Sequence, residues 1–135
     1  MNFHIRSITL SDLPVVNAIG EEKGWVLAAT PKGVVRLAGE QREPNFMYLC
    51  TTGDAVLGWV YGAYRSPEYG YIAIDRIIVA PPYRRCGVAR ALVKHVLLNF
   101  PGVEVLMSAW DPELTPFYAS LGFHEASDGN MTNQP

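Results

Sequence analysis

The chain has 135 residues and a formal charge of −2, with 49% of its residues hydrophobic and 18% charged. That length suits one ordinary domain, and the apolar share can bury a core, which excludes a largely disordered chain. The slight acidity gives no electrostatic case for binding nucleic acid, and the longest apolar runs, Ile77–Ala80 and Ala55–Tyr61, are too short to cross a bilayer.

The opening Met1-Asn2-Phe3-His4-Ile5-Arg6 lacks the apolar stretch of a signal peptide, so a cytoplasmic location is expected. Phe3–Leu10 alternates loosely and reads as a first strand. Ser11 is placed to cap a helix through Asp12-Leu13-Pro14, with Leu13, Val16 and Ile19 on one face. Gly24 and Pro31-Lys32-Gly33 interrupt that pattern, and Val34–Glu40 is expected to form a second short helix. Phe46–Thr51, Ala55–Arg65 and Tyr69–Val79 are rich in β-branched and aromatic residues, and the turns Gly53-Asp54 and Ser66-Pro67-Glu68 separate them. An antiparallel meander is the natural pairing.

Pro81-Pro82 stop the third run. From Cys86 onward, Val88, Ala89, Leu92, Val93, Val96, Leu97 and Phe100 recur at helical spacing, until Pro101-Gly102. Val103–Trp110 reads as a strand. Thr115–Leu121 reads as a short helix with Thr115 as cap, Pro116 first and Gly122 as stop. This order predicts an α/β chain: a mixed sheet with helices on its faces.

The informative stretch runs from Ile77 to Ala89, where a buried strand enters a turn that opens a long amphipathic helix. The first N–H groups of a helix have no internal partners and lie at its positive dipole end, so they can hold an anion. Gly87 permits close approach, Ala89 keeps the next turn slim, and Arg84 and Arg85 supply forked donors suited to phosphate. The same residues also suit a plain strand-to-helix connection with two solvated arginines. The stretch is neither a P-loop nor a dinucleotide fingerprint, because Gly87 is its only glycine.

Val79, Pro81, Tyr83, Arg84, Gly87 and Ala89 resemble the acetyl-CoA signature of the GNAT superfamily of N-acetyltransferases. Phe117-Tyr118-Ala119-Ser120-Leu121-Gly122-Phe123 resembles that family's later Phe-Tyr-x-x-x-Gly-Phe motif, and Ile5–Pro14 its usual opening strand and helix. The three stretches fall in the family's order over almost the whole chain. The resemblance implies the acyl-CoA N-acyltransferase fold: a mostly antiparallel central sheet with one splayed parallel pair and helices on both faces. It also implies a single N-acetyltransferase domain over residues 1–135, which moves an acetyl group from acetyl-CoA to a primary amine by direct attack. The alternative is a non-catalytic acyl-CoA-binding or sensor module.

The resemblance implies that the backbone from Arg84 through Arg85, Cys86, Gly87 and Val88 to Ala89 cradles the pyrophosphate of CoA. Main-chain groups of Ile77, Ile78 and Val79 pair with the pantetheine arm in a gap beside Val103–Trp110. Tyr118 matches the tyrosine that reprotonates the departing thiolate in many relatives, or else packs beside the cofactor. Asp75 is the candidate base, since strand alternation puts it on the face of Ile77 and Val79. An ion pair with Arg76 or Arg65, or recognition of substrate charge, are its other readings.

Asp111 stands among the cofactor contacts where the family often has asparagine, so a charge replaces a neutral amide. Pro112 and Pro116 make the last helix begin late, which shifts the expected place of Tyr118. After Phe123 the chain is polar and turn-like, so the last strand is expected to be short or missing beyond about residue 126. That leaves an open sheet edge which a second copy could cover as a homodimer.

Trp25, Trp59, Tyr61 and Tyr64 are candidates for an acceptor pocket as well as for packing, and Glu21 and Glu22 for attracting a cationic amine as well as for a solvated helix end. Cys86 sits beside two arginines at a helix start but faces phosphate rather than thioester. His4, His95 and His124 are widely separated, and Cys50 and Cys86 fit no zinc spacing, so no metal is expected. His95 reads as exposed.

Overall fold

A computed structural model describes residues 2–66, 70–107, 114–126 and 131–134. Its strands are β1 (His4–Ser7), β2 (Leu27–Ala29), β3 (Val35–Leu37), β4 (Phe46–Thr52), β5 (Ala55–Ser66), β6 (Tyr71–Val79), β7 (Glu104–Met107), β8 (His124–Glu125) and β9 (Met131–Thr132). Its helices are α1 (Leu13–Gly20), α2 (Val88–Asn99) and α3 (Thr115–Ser120). The main sheet has the order β1-β4-β5-β6-β7-β9-β8, and β2 and β3 form a separate hairpin. Every pairing is antiparallel except β6 with β7, which run parallel. Among the described residues, no helix is long and apolar enough to cross a membrane.

Each face of the sheet carries its own core. On one face Val88, Leu92, Val93 and Val96 of α2 and Tyr118 of α3 pack with Phe46, Cys50, Val60, Ile72, Ile74 and Met107. On the other, Val16 of α1 and Leu27, Val35 and Leu37 of the hairpin pack with Leu49, Trp59, Tyr61 and Ile78. Helices therefore lie on both faces, and β5 and β6 contribute to both cores.

Burial pushes the Cys50 thiol up to about 11, so this cysteine stays protonated at neutral pH, whereas Cys86 is exposed. His95 is half-buried, with its ring 4.5 Å edge-on from that of Tyr48, and burial lowers its pKa. It is not the exposed residue that helical spacing suggested.

Two other local readings need correction. Val34–Glu40 is not a helix but contains β3, because Val35 and Leu37 are buried and alternate with Arg36 at the two-residue period of a strand. Thr30 and Val34 close the hairpin by a 2.8 Å backbone bond, with Gly33 at φ 81° in the turn. Ser11 does not cap α1. A 3-10 turn over Leu10–Asp12 precedes the helix, and Asp12 accepts from the Thr9 amide at 2.7 Å and hydroxyl at 2.9 Å. Arg6 holds the same carboxylate through two bonds of 2.8 Å, which keep it well below the usual carboxylate range.

Leu106 and Met107 pair with Thr132 and Met131, and Met131 is 1% exposed. At these two residues the β7 edge is covered from within the chain by a short last strand, as the sequence suggested, and the sheet's outer strand on this side is the two-residue β8.

Candidate functional site

The parallel pairing of β6 with β7 runs from Tyr71–Glu104 to Ile74–Met107. Beyond it β6 continues to Val79 while keeping β5 on its other side, through Tyr61–Arg76, Val60–Ile77, Trp59–Ile78 and Gly58–Val79. The stretch Arg76–Val79 therefore has no strand partner on the β7 side among the described residues. A cavity of about 520 Å³ opens there. Gly58 lets β5 lie close behind the strand, since a Cβ would fall 2.5 Å from the Ile78 carbonyl oxygen.

The pairing skips Asp75, with Gly62 opposite Ile74 and Tyr61 opposite Arg76, so β6 bulges at this residue. The bulge breaks the alternation that put Asp75 on the face of Ile77 and Val79. Ile74 and Ile77 stay on the α2 face, while Tyr61, opposite Arg76, lies in the core of the other face, where burial raises its pKa and the charges of Glu40 and Asp75 add to the rise. Bulges re-aim side chains in this manner beside active sites. Asp75 still lines the cavity.

Past Val79, Pro81–Tyr83 make a 3-10 turn and Arg84 is extended. Arg85 at φ 64° and Gly87 at φ 88° are left-handed, and α2 starts at Val88. A Cβ at Gly87 would meet only the Phe3 ring at 3.8 Å, so glycine serves the dihedral there rather than the space. The first bond of the helix runs from Ala91 N–H to the Gly87 carbonyl at 3.0 Å. The N–H groups of Val88, Ala89 and Arg90 precede it and have no intrahelical acceptor. Val88 is itself 1% exposed and packs into the core, which anchors the start of the helix.

Ten of the twelve residues assigned to catalysis or the cofactor line this cavity: Asp75, Ile77, Ile78, Val79, Arg84, Arg85, Gly87, Val88, Ala89 and Tyr118. Cys86 is not among them; its thiol points back to the Arg84 carbonyl oxygen at 3.7 Å. Asp111 and Pro112 lie outside the described residues, as does the end of the strand predicted over Val103–Trp110 beyond Met107. Tyr118 is 3% exposed, packed edge-on to Phe117, and faces the cavity from α3.

Arg84 is engaged by protein groups. Its Nε donates to the Val79 carbonyl oxygen at 3.1 Å, and its Nη2 pairs with Glu22. Glu22 is thus an exposed helix-end residue that pairs with Arg84. Arg90 reaches the Ser120 hydroxyl at 2.8 Å and links α2 to α3.

Of the four aromatics proposed for an acceptor pocket, Trp25 lines the cavity. Trp59 and Tyr61 are core residues that donate to the Val16 carbonyl at 2.9 Å and accept from the Leu37 amide at 3.0 Å respectively. The side chain of Tyr64 lies outside the described ones. Sequence reasoning did not assign Lys23, Arg90, Met107 and Phe117 to the lining, and it treated Arg76 only as a partner for Asp75. Phe117 opens one recognised motif and Arg90 follows the other, so both could have been found from them. No local pattern marks Lys23 or Arg76. Among the described residues no group of three or more His, Cys, Asp or Glu could hold a metal.

The family model described as an acetyltransferase (GNAT) domain matches residues 43–125. No curated protein matches the sequence. Among solved structures, a GNAT family acetyltransferase from Streptococcus pneumoniae is 25% identical, with 94% of this chain and 91% of that chain covered and a TM-score of 0.69. The ribosomal-protein-S18-alanine N-acetyltransferase from Escherichia coli is 23% identical over 97% of this chain and 89% of that one, with a TM-score of 0.66. Ard1 from Thermoplasma volcanium is 19% identical over 98% and 95%, with a TM-score of 0.65.

Proposed function

The chain belongs to the GNAT acetyltransferase family, and from that premise we propose that it moves the acetyl group of acetyl-CoA onto a primary amine by direct attack. One observation carries the reading. The end of β6, which has no partner on the β7 side among the described residues, runs straight into an anion-accepting turn, and both border one cavity with Tyr118.

The residues fit acetyl-CoA as a co-substrate. The main chain of Ile77–Val79 offers an added-strand edge to the pantetheine arm. The amides from Arg85 to Arg90, together with the cations Arg84, Arg85 and Arg90, suit the pyrophosphate. Arg84 already spans the Val79 carbonyl and Glu22, so its contribution includes tying the turn to the end of β6. In this proposal Asp75, directly or through water, takes the proton of the attacking amine. A backbone N–H at Val79 steadies the developing oxyanion, and Tyr118 protonates the leaving thiolate. The chemistry requires neither a metal nor a covalent enzyme intermediate. The proposed setting is cytoplasmic.

Thermal unfolding tests the cofactor assignment. Acetyl-CoA at about a hundred times its dissociation constant should stabilise the protein by roughly 2.7 kcal/mol, a shift of several degrees, with a similar rise for CoA and none for ATP or NAD. An unmoved midpoint at saturating acetyl-CoA would reduce the turn to a structural connection.

A further inference from the structure

We propose that the amine acceptor carries a carboxylate close to its amine, as an amino acid does, and that Arg76 grips that carboxylate from its platform on Trp25. This rests on the acetyl-transfer reading above and names the class of substrate for the same cavity.

The argument starts from an unsatisfied donor. Arg76 follows the bulge residue Asp75 on β6, and its guanidinium lies 5.4 Å from the Trp25 ring centroid. One nitrogen, Nη1, donates to the Asp75 carbonyl oxygen at 2.8 Å. Its Nε is buried and has no hydrogen-bond partner among the described residues. A buried N–H left unpaired is costly, and native structures rarely keep one without a function. The cation–π contact with Trp25 and the Nη1 bond to the Asp75 carbonyl hold the guanidinium in place, and its Nε edge is a two-pronged donor matched to a carboxylate.

The charge along the cavity points the same way. Its described lining holds Lys23, Arg76, Arg84, Arg85 and Arg90 against the single acid Asp75. Arg84, Arg85 and Arg90 belong to the phosphate turn and the first turn of α2, which suffices for the anionic end of the cofactor. Lys23 and Arg76 are left over: Arg76 lies against Trp25, and Lys23 sits between Trp25 and Glu22, the partner of Arg84. A polyamine-like acceptor would meet an excess of positive charge there, Lys23 and Arg76 against Asp75. An amino acid would set its carboxylate on Arg76 and its amine toward Asp75, the adjacent residue. The two opposite charges of such a substrate thus find two opposite charges side by side on the bulge.

The test follows acetyl transfer to amino acids, each compared with its carboxamide at equal free-base concentration, by wild type, Arg76→Gln, Arg76→Lys and Lys23→Gln. Wild type should favour the carboxylate by about tenfold or more in kcat/KM, the worth of a charged hydrogen bond. Arg76→Gln should erase that preference through KM, so that the ratio of kcat/KM between carboxylate and carboxamide falls to about one, whatever the variant's overall rate. Arg76→Lys, which keeps the charge but loses the fork, should fall between. Lys23 is exposed, so Lys23→Gln keeps the fold and should weaken the preference by a smaller factor. Equal rates on both members of each pair, or a preference that survives Arg76→Gln, overturns the proposal while leaving acetyl transfer intact. Calorimetric binding of the same pairs to the CoA-saturated protein reads the site without turnover. If no amine is acetylated, the transfer reading fails. Arg76-dependent selectivity for carboxylates in that binding then still upholds the site, and its absence overturns it.

Discussion

Tyr118→Phe should lower kcat for acetyl transfer by about a hundredfold or more, the scale of a lost general acid, while acetyl-CoA affinity changes by less than about twofold. The substitution removes one oxygen and leaves the ring, which is 3% exposed and packed in the core beneath α2 and α3. The fold should therefore survive, and the loss should fall on the chemical step. Tyr118 borders the cavity from α3, on the side opposite the β6 edge, with Met107 and Phe117 beside it. A phenol O–H there can give a proton to a departing thiolate. Steady-state rates paired with calorimetric Kd values separate the roles. An unchanged kcat would make Tyr118 a packing residue only.

The largest loss of stability should come from Trp59→Ala, at about 3–5 kcal/mol, or roughly 10–20 °C in Tm for a chain of this size. Trp59 is 0% exposed, meets Trp25 edge-on at 6.2 Å, and donates from its indole to the Val16 carbonyl at 2.9 Å. It thereby joins β5 to α1 and to the segment that carries Trp25 and Lys23. Trp59→Phe should cost less, about 1–2 kcal/mol, because most of the ring volume remains and the N–H bond is lost. Thermal melts followed by circular dichroism measure both. A drop under about 1 kcal/mol for the alanine variant would mean that α1 and the hairpin do not rest on this ring.

The three features linked by these effects were unequally legible in the sequence. The phosphate turn was the clearest, because strand, Arg-x-x-Gly-x-Ala and amphipathic helix are contiguous and each part has a local physical signature. The meander and the helix of Val88–Asn99 were legible for the same reason. The hairpin strand Val35–Leu37 was not. Three residues are too few to establish a period of two against one of 3.6, and its burial depends on Trp59 and Tyr61, which lie far along the chain.

The bulge at Asp75 was invisible because it is a property of pairing with Gly62 and Tyr61, not of the residues from Ala73 to Ile77 themselves. Counting by twos therefore cannot be carried through it to the candidate base. Arg76 and Trp25 are 51 positions apart and meet only across the finished sheet, so their stacking left no trace in either local sequence. Glu22 and Arg84 met in the same fashion. Local chemistry located where the cofactor should lie, whereas the acceptor side was built by contacts that only tertiary structure creates.

Acetyl transfer itself tests the central claim most directly. The purified protein, acetyl-CoA and a panel of primary amines should release free CoA thiol only when an amine is present, with an equimolar N-acetyl product seen by mass spectrometry. Binding of acetyl-CoA with no amine-dependent thiol release from any member of the panel would contradict it, and would make the chain an acyl-CoA-binding module that transfers nothing.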